Sequence, residues 1–147
     1  MAGWTNRGKK NVLAFLRGGT ISGMFLALVK STPTADTNIF SDLTEIATGN
    51  GYTAGGMAVV LDATDFDTLT EDDGTDEAFV QLKDFTWTAS GGTIPSDGNG
   101  ATYAVLLGPH ATPGSREVFA FGSLGGAKVS ATNGTFTIQN FELKLTE

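Results

Sequence analysis

Residues 78–89 read Ala78-Phe79-Val80-Gln81-Leu82-Lys83-Asp84-Phe85-Thr86-Trp87-Thr88-Ala89, the clearest strand pattern in the chain. Phe79, Gln81, Lys83, Phe85 and Trp87 alternate with Val80, Leu82, Asp84, Thr86 and Thr88. Side chains that change face at every residue belong to a strand, and aromatic and β-branched residues suit its pleated, half-buried surface. Ser90-Gly91-Gly92 closes the run, and Ile94-Pro95 with Asp97-Gly98-Asn99-Gly100 reads as a wide loop.

On the N-terminal side, Met24, Leu26 and Leu28 alternate with Phe25, Ala27 and Val29. Both phases are apolar, which predicts a strand buried on both faces or covered by a helix. Residues 57–61 form a further short strand, with turn signals at Gly49-Asn50-Gly51 and Gly55-Gly56 ahead of it. Residues 31–38, with Pro33, read as loop, and 41–46 as a single helical turn. Residues 62–77 hold eight acids and read as an acidic loop, with a short strand around 66–69.

On the C-terminal side, 102–107 and 117–121 are strands joined through a turn-rich stretch from Gly108 to Gly114. Residues 123–133 are a glycine-rich connection in which Lys128-Val129-Ser130 pair briefly. The last strand, 135–146, changes phase at Gln139-Asn140, which predicts a bulge or bend. The 20 glycines are not periodic and fall between apolar runs, so they are turns. Six to eight strands at this spacing predict an all-β fold, a β-sandwich or jelly-roll-like body with a short N-terminal helix.

That helix is expected at 6–16, with Thr5 as N-cap and Gly18 just past its end. Val12, Leu13, Phe15 and Leu16 lie near one face behind Lys9 and Lys10. About 11 residues of helix are marginal alone, so the apolar face needs something to cover it. The whole of 1–147 reads as one domain, with a basic N-terminal arm over 1–19 and a sandwich body over 20–147.

Net charge is −7, but the first 17 residues carry Arg7, Lys9, Lys10 and Arg17 with no acid, making them +4. The remainder has 5 bases and 16 acids, or −11. Such a body repels phosphates, which disfavours nucleic acid as a partner. The basic segment suits an acidic surface, on its own chain or a neighbour's, or is a solvated helix face. No cysteine is present, so disulfides and thiolate metal sites are excluded. The apolar runs are too short to span a bilayer, and 1–17 lacks the uninterrupted apolar core of a signal peptide.

Candidate chemistry is thin. The run from Glu71 to Glu77 carries carboxylates that suit a hard cation, but Leu69 and Thr70 occupy loop positions where an EF-hand needs a ligand and a glycine. We therefore expect no metal and no cofactor. His110 is the only histidine, and no Gly-x-Ser-x-Gly elbow accompanies it, so no catalytic residue is assigned. The acids cluster instead of facing one another as a glycosidase pair would. Gly98-Asn99-Gly100 lacks the further glycine of a dinucleotide fingerprint. Trp87 and Tyr103 lie inside strands and read as core, whereas Trp4, ahead of the helix, suits either a partner contact or a staple onto its own helix.

Several segments carry a resemblance. Thr5-Asn6-Arg7-Gly8, Ser41-Asp42-Leu43-Thr44-Glu45-Ile46-Ala47, Gly49-Asn50-Gly51-Tyr52-Thr53-Ala54-Gly55-Gly56 and Thr64-Asp65-Phe66-Asp67 with Leu69-Thr70-Glu71-Asp72-Asp73 are similar to small virion structural proteins of tailed bacteriophages. So are Trp87-Thr88-Ala89-Ser90-Gly91-Gly92-Thr93-Ile94-Pro95, Gly98-Asn99-Gly100-Ala101-Thr102-Tyr103-Ala104-Val105-Leu106 and Leu145-Thr146-Glu147. The resemblance implies a non-enzymatic structural protein, made in the host cytoplasm and resident in the virion. One implied role is a capsid decoration or cement protein that binds the major capsid protein lattice and itself, as a homotrimer or dimer. The other is a tail or fibre protein. A small hydrolase is the reading from a different class. Trp4, Arg7, Lys9, Lys10 and Arg17 are the expected partner-binding residues. Removing 1–17 is expected to leave the body folded and to abolish attachment.

Overall fold

The computed structural model describes residues 2–146 as an antiparallel β-sandwich of ten strands with one short N-terminal α-helix. The first layer is a five-stranded sheet in the order β1 (Gly3–Trp4), β8 (Val118–Lys128), β7 (Ala101–Leu107), β2 (Met24–Val29), β3 (Met57–Val59). The second layer contains a three-stranded sheet, β10 (Phe141–Thr146), β5 (Glu77–Leu82), β4 (Phe66–Asp72), and a two-stranded one, β6 (Phe85–Thr88) with β9 (Thr135–Ile138).

Alternation fixes what each layer buries. Met24, Leu26 and Leu28 of β2 and Ala104 and Leu106 of β7 face the second layer, where they meet Leu82, Phe85, Trp87, Phe136, Ile138, Phe141 and Leu143. Ala27, Val29, Val105, Leu107 and Val118 face the other way and are covered by Phe40 and Leu43. The central sheet is thus buried on both faces, as the unbroken apolar run of β2 requires. Its outer cover is the segment around the 3-10 turn Phe40–Asp42, not the helix.

The run 78–89 is two strands, not one. Leu82 and Phe85 both point inward although they are three residues apart, and β5 pairs with β10 while β6 pairs with β9. Ile138 and Phe141 break phase opposite, as the Gln139-Asn140 shift predicted, with Asn140 in the left-handed region at φ 54°. Gln139 Nε2 donates to Asp84 Oδ2 across this kink at 2.9 Å, and Gln81 Nε2 donates to Asn140 Oδ1 at 3.3 Å.

Two stretches hold more strand than the sequence predicts. The acidic segment 62–77 contains β4, which pairs with β5 from Phe66↔Leu82 to Asp72↔Glu77, interrupted by a register shift after Phe66. The glycine-rich 123–133 stretch continues β8 as far as Lys128, opposite Ala101.

The helix α1 (Asn6–Ala14), followed by a 3-10 turn Phe15–Arg17, ends at Gly18 with φ 79°. Thr5 caps it: Gly8 N–H donates to Thr5 Oγ1 at 2.9 Å, and the Thr5 hydroxyl donates to the Val118 carbonyl. Among the described residues no helix is long and apolar enough to cross a membrane.

Candidate functional site

The N-terminal segment is built into the sandwich. Gly3 and Trp4 pair with Phe121 and Ala120, Ala2 N–H donates to Glu142 O at 3.0 Å, and Thr5 is fully buried. Gly8 lies against the backbone of Phe119 so closely that any Cβ there would overlap it. Glycine lets α1 touch β8 directly, main chain to main chain.

Ala2 to Gly8, within the segment expected to form an arm over 1–19, are thus packed into the body expected over 20–147. The structure also sorts the expected partner-binding residues. The half-buried Trp4 packs against the core, and its indole N–H donates to the Lys144 carbonyl at 2.6 Å. Arg7 is paired with Glu117 at 2.8 Å and reaches Asn38 at 3.4 Å. Asn11 binds the second Glu117 oxygen. Trp4 and Arg7 thus fasten the segment to its own chain, whereas Lys9, Lys10 and Arg17 are exposed. The side chains expected to seek cover are exposed too, Leu13 at 62%, Phe15 at 53% and Leu16 at 86%. The helix meets the sheet through its glycine face, and α1 together with the 3-10 turn behind it leaves Leu13, Phe15 and Leu16 exposed near three exposed cations, the α1 ridge.

A second uncovered surface lies on the three-stranded sheet. Residues directly paired across antiparallel strands share a face, as do residues two apart along a strand. The row Phe141, Leu143, Leu145 on β10 and the row Leu82, Val80, Ala78 on β5 therefore share one face, with Leu69 and Glu71 beside them on β4. Leu82, Phe141 and Leu143 are core, yet Leu69 is 75% exposed and Leu145 51%. The inward face of this sheet overhangs the sandwich. Its uncovered end forms a shallow groove at Leu69, Thr70, Glu71 and Ala78, with the exposed Asp67 further back along β4.

A third concavity, of about 780 Å³, opens beside the edge strand β3 and is lined by Met24, Phe25, Val60, Leu61 and His110 among others. The His110 ring accepts from Thr112 N–H at 3.0 Å within its own loop, and its carbonyl accepts from Arg116 Nε at 3.1 Å. Among the described residues no three potential metal ligands converge, in the acidic hairpin or elsewhere.

Sequence reasoning missed Arg116. It is buried, its guanidinium stacks 3.3 Å from the centroid of Phe25, and Nη1 donates to Gly55 O at 2.7 Å. Nearby, Tyr52 donates to Glu45 Oε1 at 2.9 Å and accepts from Leu28 N–H at 3.0 Å. Burial, reinforced by the Glu45 carboxylate, pushes the Tyr52 phenol well above its usual range, so it stays a neutral donor. Burial also lowers Arg116, opposed by the attraction of Glu45. Such a network holds loops at a sheet edge in place. A lone arginine in a turn-rich stretch gives no sign of it, because its partners are remote in sequence.

The fold and these surfaces define a two-layer β module with exposed patches of opposite charge. No family model matches the chain, and no curated protein or solved structure matches it either.

Proposed function

We propose that this chain is a structural component of a tailed-phage virion, and specifically a decoration or cement protein that binds both the major capsid protein lattice and further copies of itself. The observation that carries this reading is the pair of uncovered apolar surfaces, the ridge on α1 and the overhang of the three-stranded sheet, both held on a rigid body. Large apolar groups left in water on well-anchored elements mark contact surfaces for neighbours. A reinforcing protein needs such surfaces on a body that does not deform, and the doubly buried central sheet supplies one. The resemblance of segments spread from Thr5 to Glu147 supports the same assignment.

The test is to add the purified chain to emptied, expanded capsids that lack it and to count bound copies after sedimentation. Saturable binding at many copies per particle is expected. Few copies that leave with detached tails would favour a tail or fibre role instead. Absence from both fractions would end the virion reading.

A further inference from the structure

The two uncovered surfaces are complementary to one another. The α1 ridge offers Leu13, Phe15 and Leu16 with Lys9, Lys10 and Arg17, and none of these cations has an ion-pair partner among the described residues. The overhang offers Leu69, Ala78 and Leu145 with Glu71 on the same face and Asp67 beside it on β4, both acids outside every ion pair among the described residues. Both have an apolar centre and a charged rim, as a specific interface does, and the rims are of opposite sign.

The acids on β4 have another use, since charges along an edge strand stop edge-to-edge pairing. That use accounts for Asp67 and Glu71. It does not account for a sheet whose inward face runs past its cover, nor for a cationic helix whose leucines face water.

We infer that the α1 ridge of one copy seats on the acid-rimmed overhang of the three-stranded sheet of a second copy, forming a head-to-tail contact. This deepens the proposed function and rests on it, because it names the self-contact that a cement protein requires. The contact is heterologous: each copy uses one surface as donor and the other as acceptor, so repetition builds a closed ring or an open chain. Two copies of the same surface repel, as like-charged rims face each other.

Charge exchange in the full-length chain tests the contact. One variant carries Lys9→Glu and Lys10→Glu, and the other carries Asp67→Lys and Glu71→Lys; all four residues are exposed. By sedimentation velocity, the unaltered chain is expected to self-associate, more weakly at about 500 mM salt than at about 50 mM. Each variant alone is expected to lose roughly tenfold or more in self-affinity, while an equimolar mixture of the two regains it. Circular dichroism establishes that both variants are folded.

A chain that stays monomeric at high concentration would overturn the contact. So would either variant associating as the unaltered chain does, or a mixture that fails to recover. Failure here with normal capsid binding would refute the self-contact alone. Self-association by a chain that ignores particles would instead refute the virion role.

Discussion

Arg116 shows how much a single side chain can hold. Its Nε and Nη1 hydrogens bind the carbonyls of His110 and Gly55, and its plane covers the Phe25 ring. Arg116→Ala would strand two acceptors, open a void against Phe25 and remove the positive charge that offsets Glu45. We expect a loss of roughly 3 kcal/mol in urea unfolding, since hydrogen bonds from charged groups in buried settings are the costly ones to break. Arg116→Lys keeps the charge but not the planar fork, and should recover only part of this loss. Asp97 gives a prediction about pH. Its carboxylate accepts from the Asn99 side chain and backbone and pairs with Lys30 at 3.3 Å, which holds its pKa at about 2, against an ordinary 3.8. A group lowered by folding stabilises the fold above its unfolded pKa and loses that contribution as pH falls through the folded one. The Asp97 contribution is therefore complete above about pH 4 and gone below about pH 2. Carboxyl NMR should show its midpoint near 2, and Asp97→Asn should remove that titration.

At the level of elements, Gly8 is where the helix is joined to the sheet. Gly8→Ala forces a methyl group into the Phe119 backbone, so α1 must lift away. We expect a cost of about 1–3 kcal/mol, the usual range for overpacking. Amide exchange across Asn6–Ala14 should quicken before the sandwich itself opens. Deleting 1–17 should do more, because it removes β1, the Thr5 cap and the cover over β8. The sequence alone suggested a body that stands without this segment; the pairing of Ala2, Gly3 and Trp4 predicts instead a marked fall in the urea midpoint. The same elements show what could be read in advance. The helix was legible because its cap and terminal glycine are local signals. The break at Gln139-Asn140 was legible because Ile138 and Phe141 are both apolar and three apart. Its counterpart at Lys83-Asp84 was hidden by Phe79, an aromatic on the outer face, where Lys144 lies 5.3 Å from its ring. That residue carried the apparent alternation of 78–89 straight through the kink. The start of β4 was legible at 66–69, but its extension to Asp72 was hidden by composition, since acids disfavour strands and only pairing with β5 carries the strand that far.

For the molecule as a whole, the two-layer architecture followed from alternation and glycine turns. The division of charge into a +4 segment and a −11 remainder was also plain in the sequence. What could not be read was the relation between layers. Nothing local says that the three-stranded sheet extends beyond its cover, leaving Leu69 and Leu145 in water, or that the apolar side of α1 faces away from the body. Both follow from where long-range pairings place whole elements, and both contact surfaces proposed above depend on them.

The pairing of Ala2 with Glu142 and of Trp4 with Lys144 joins points 140 residues apart along the chain. Loops of that length close late and at an entropic cost, and all-β folds dominated by such contacts acquire their native state in about milliseconds to seconds. The first strand can find its ladder partner only after β8 has been made, so a chain still being synthesised leaves the flank of β8 bare. During that interval the nascent protein is at its most vulnerable to aggregation, and the basic helix that follows β1 reaches its docking site only once Val118–Lys128 has emerged.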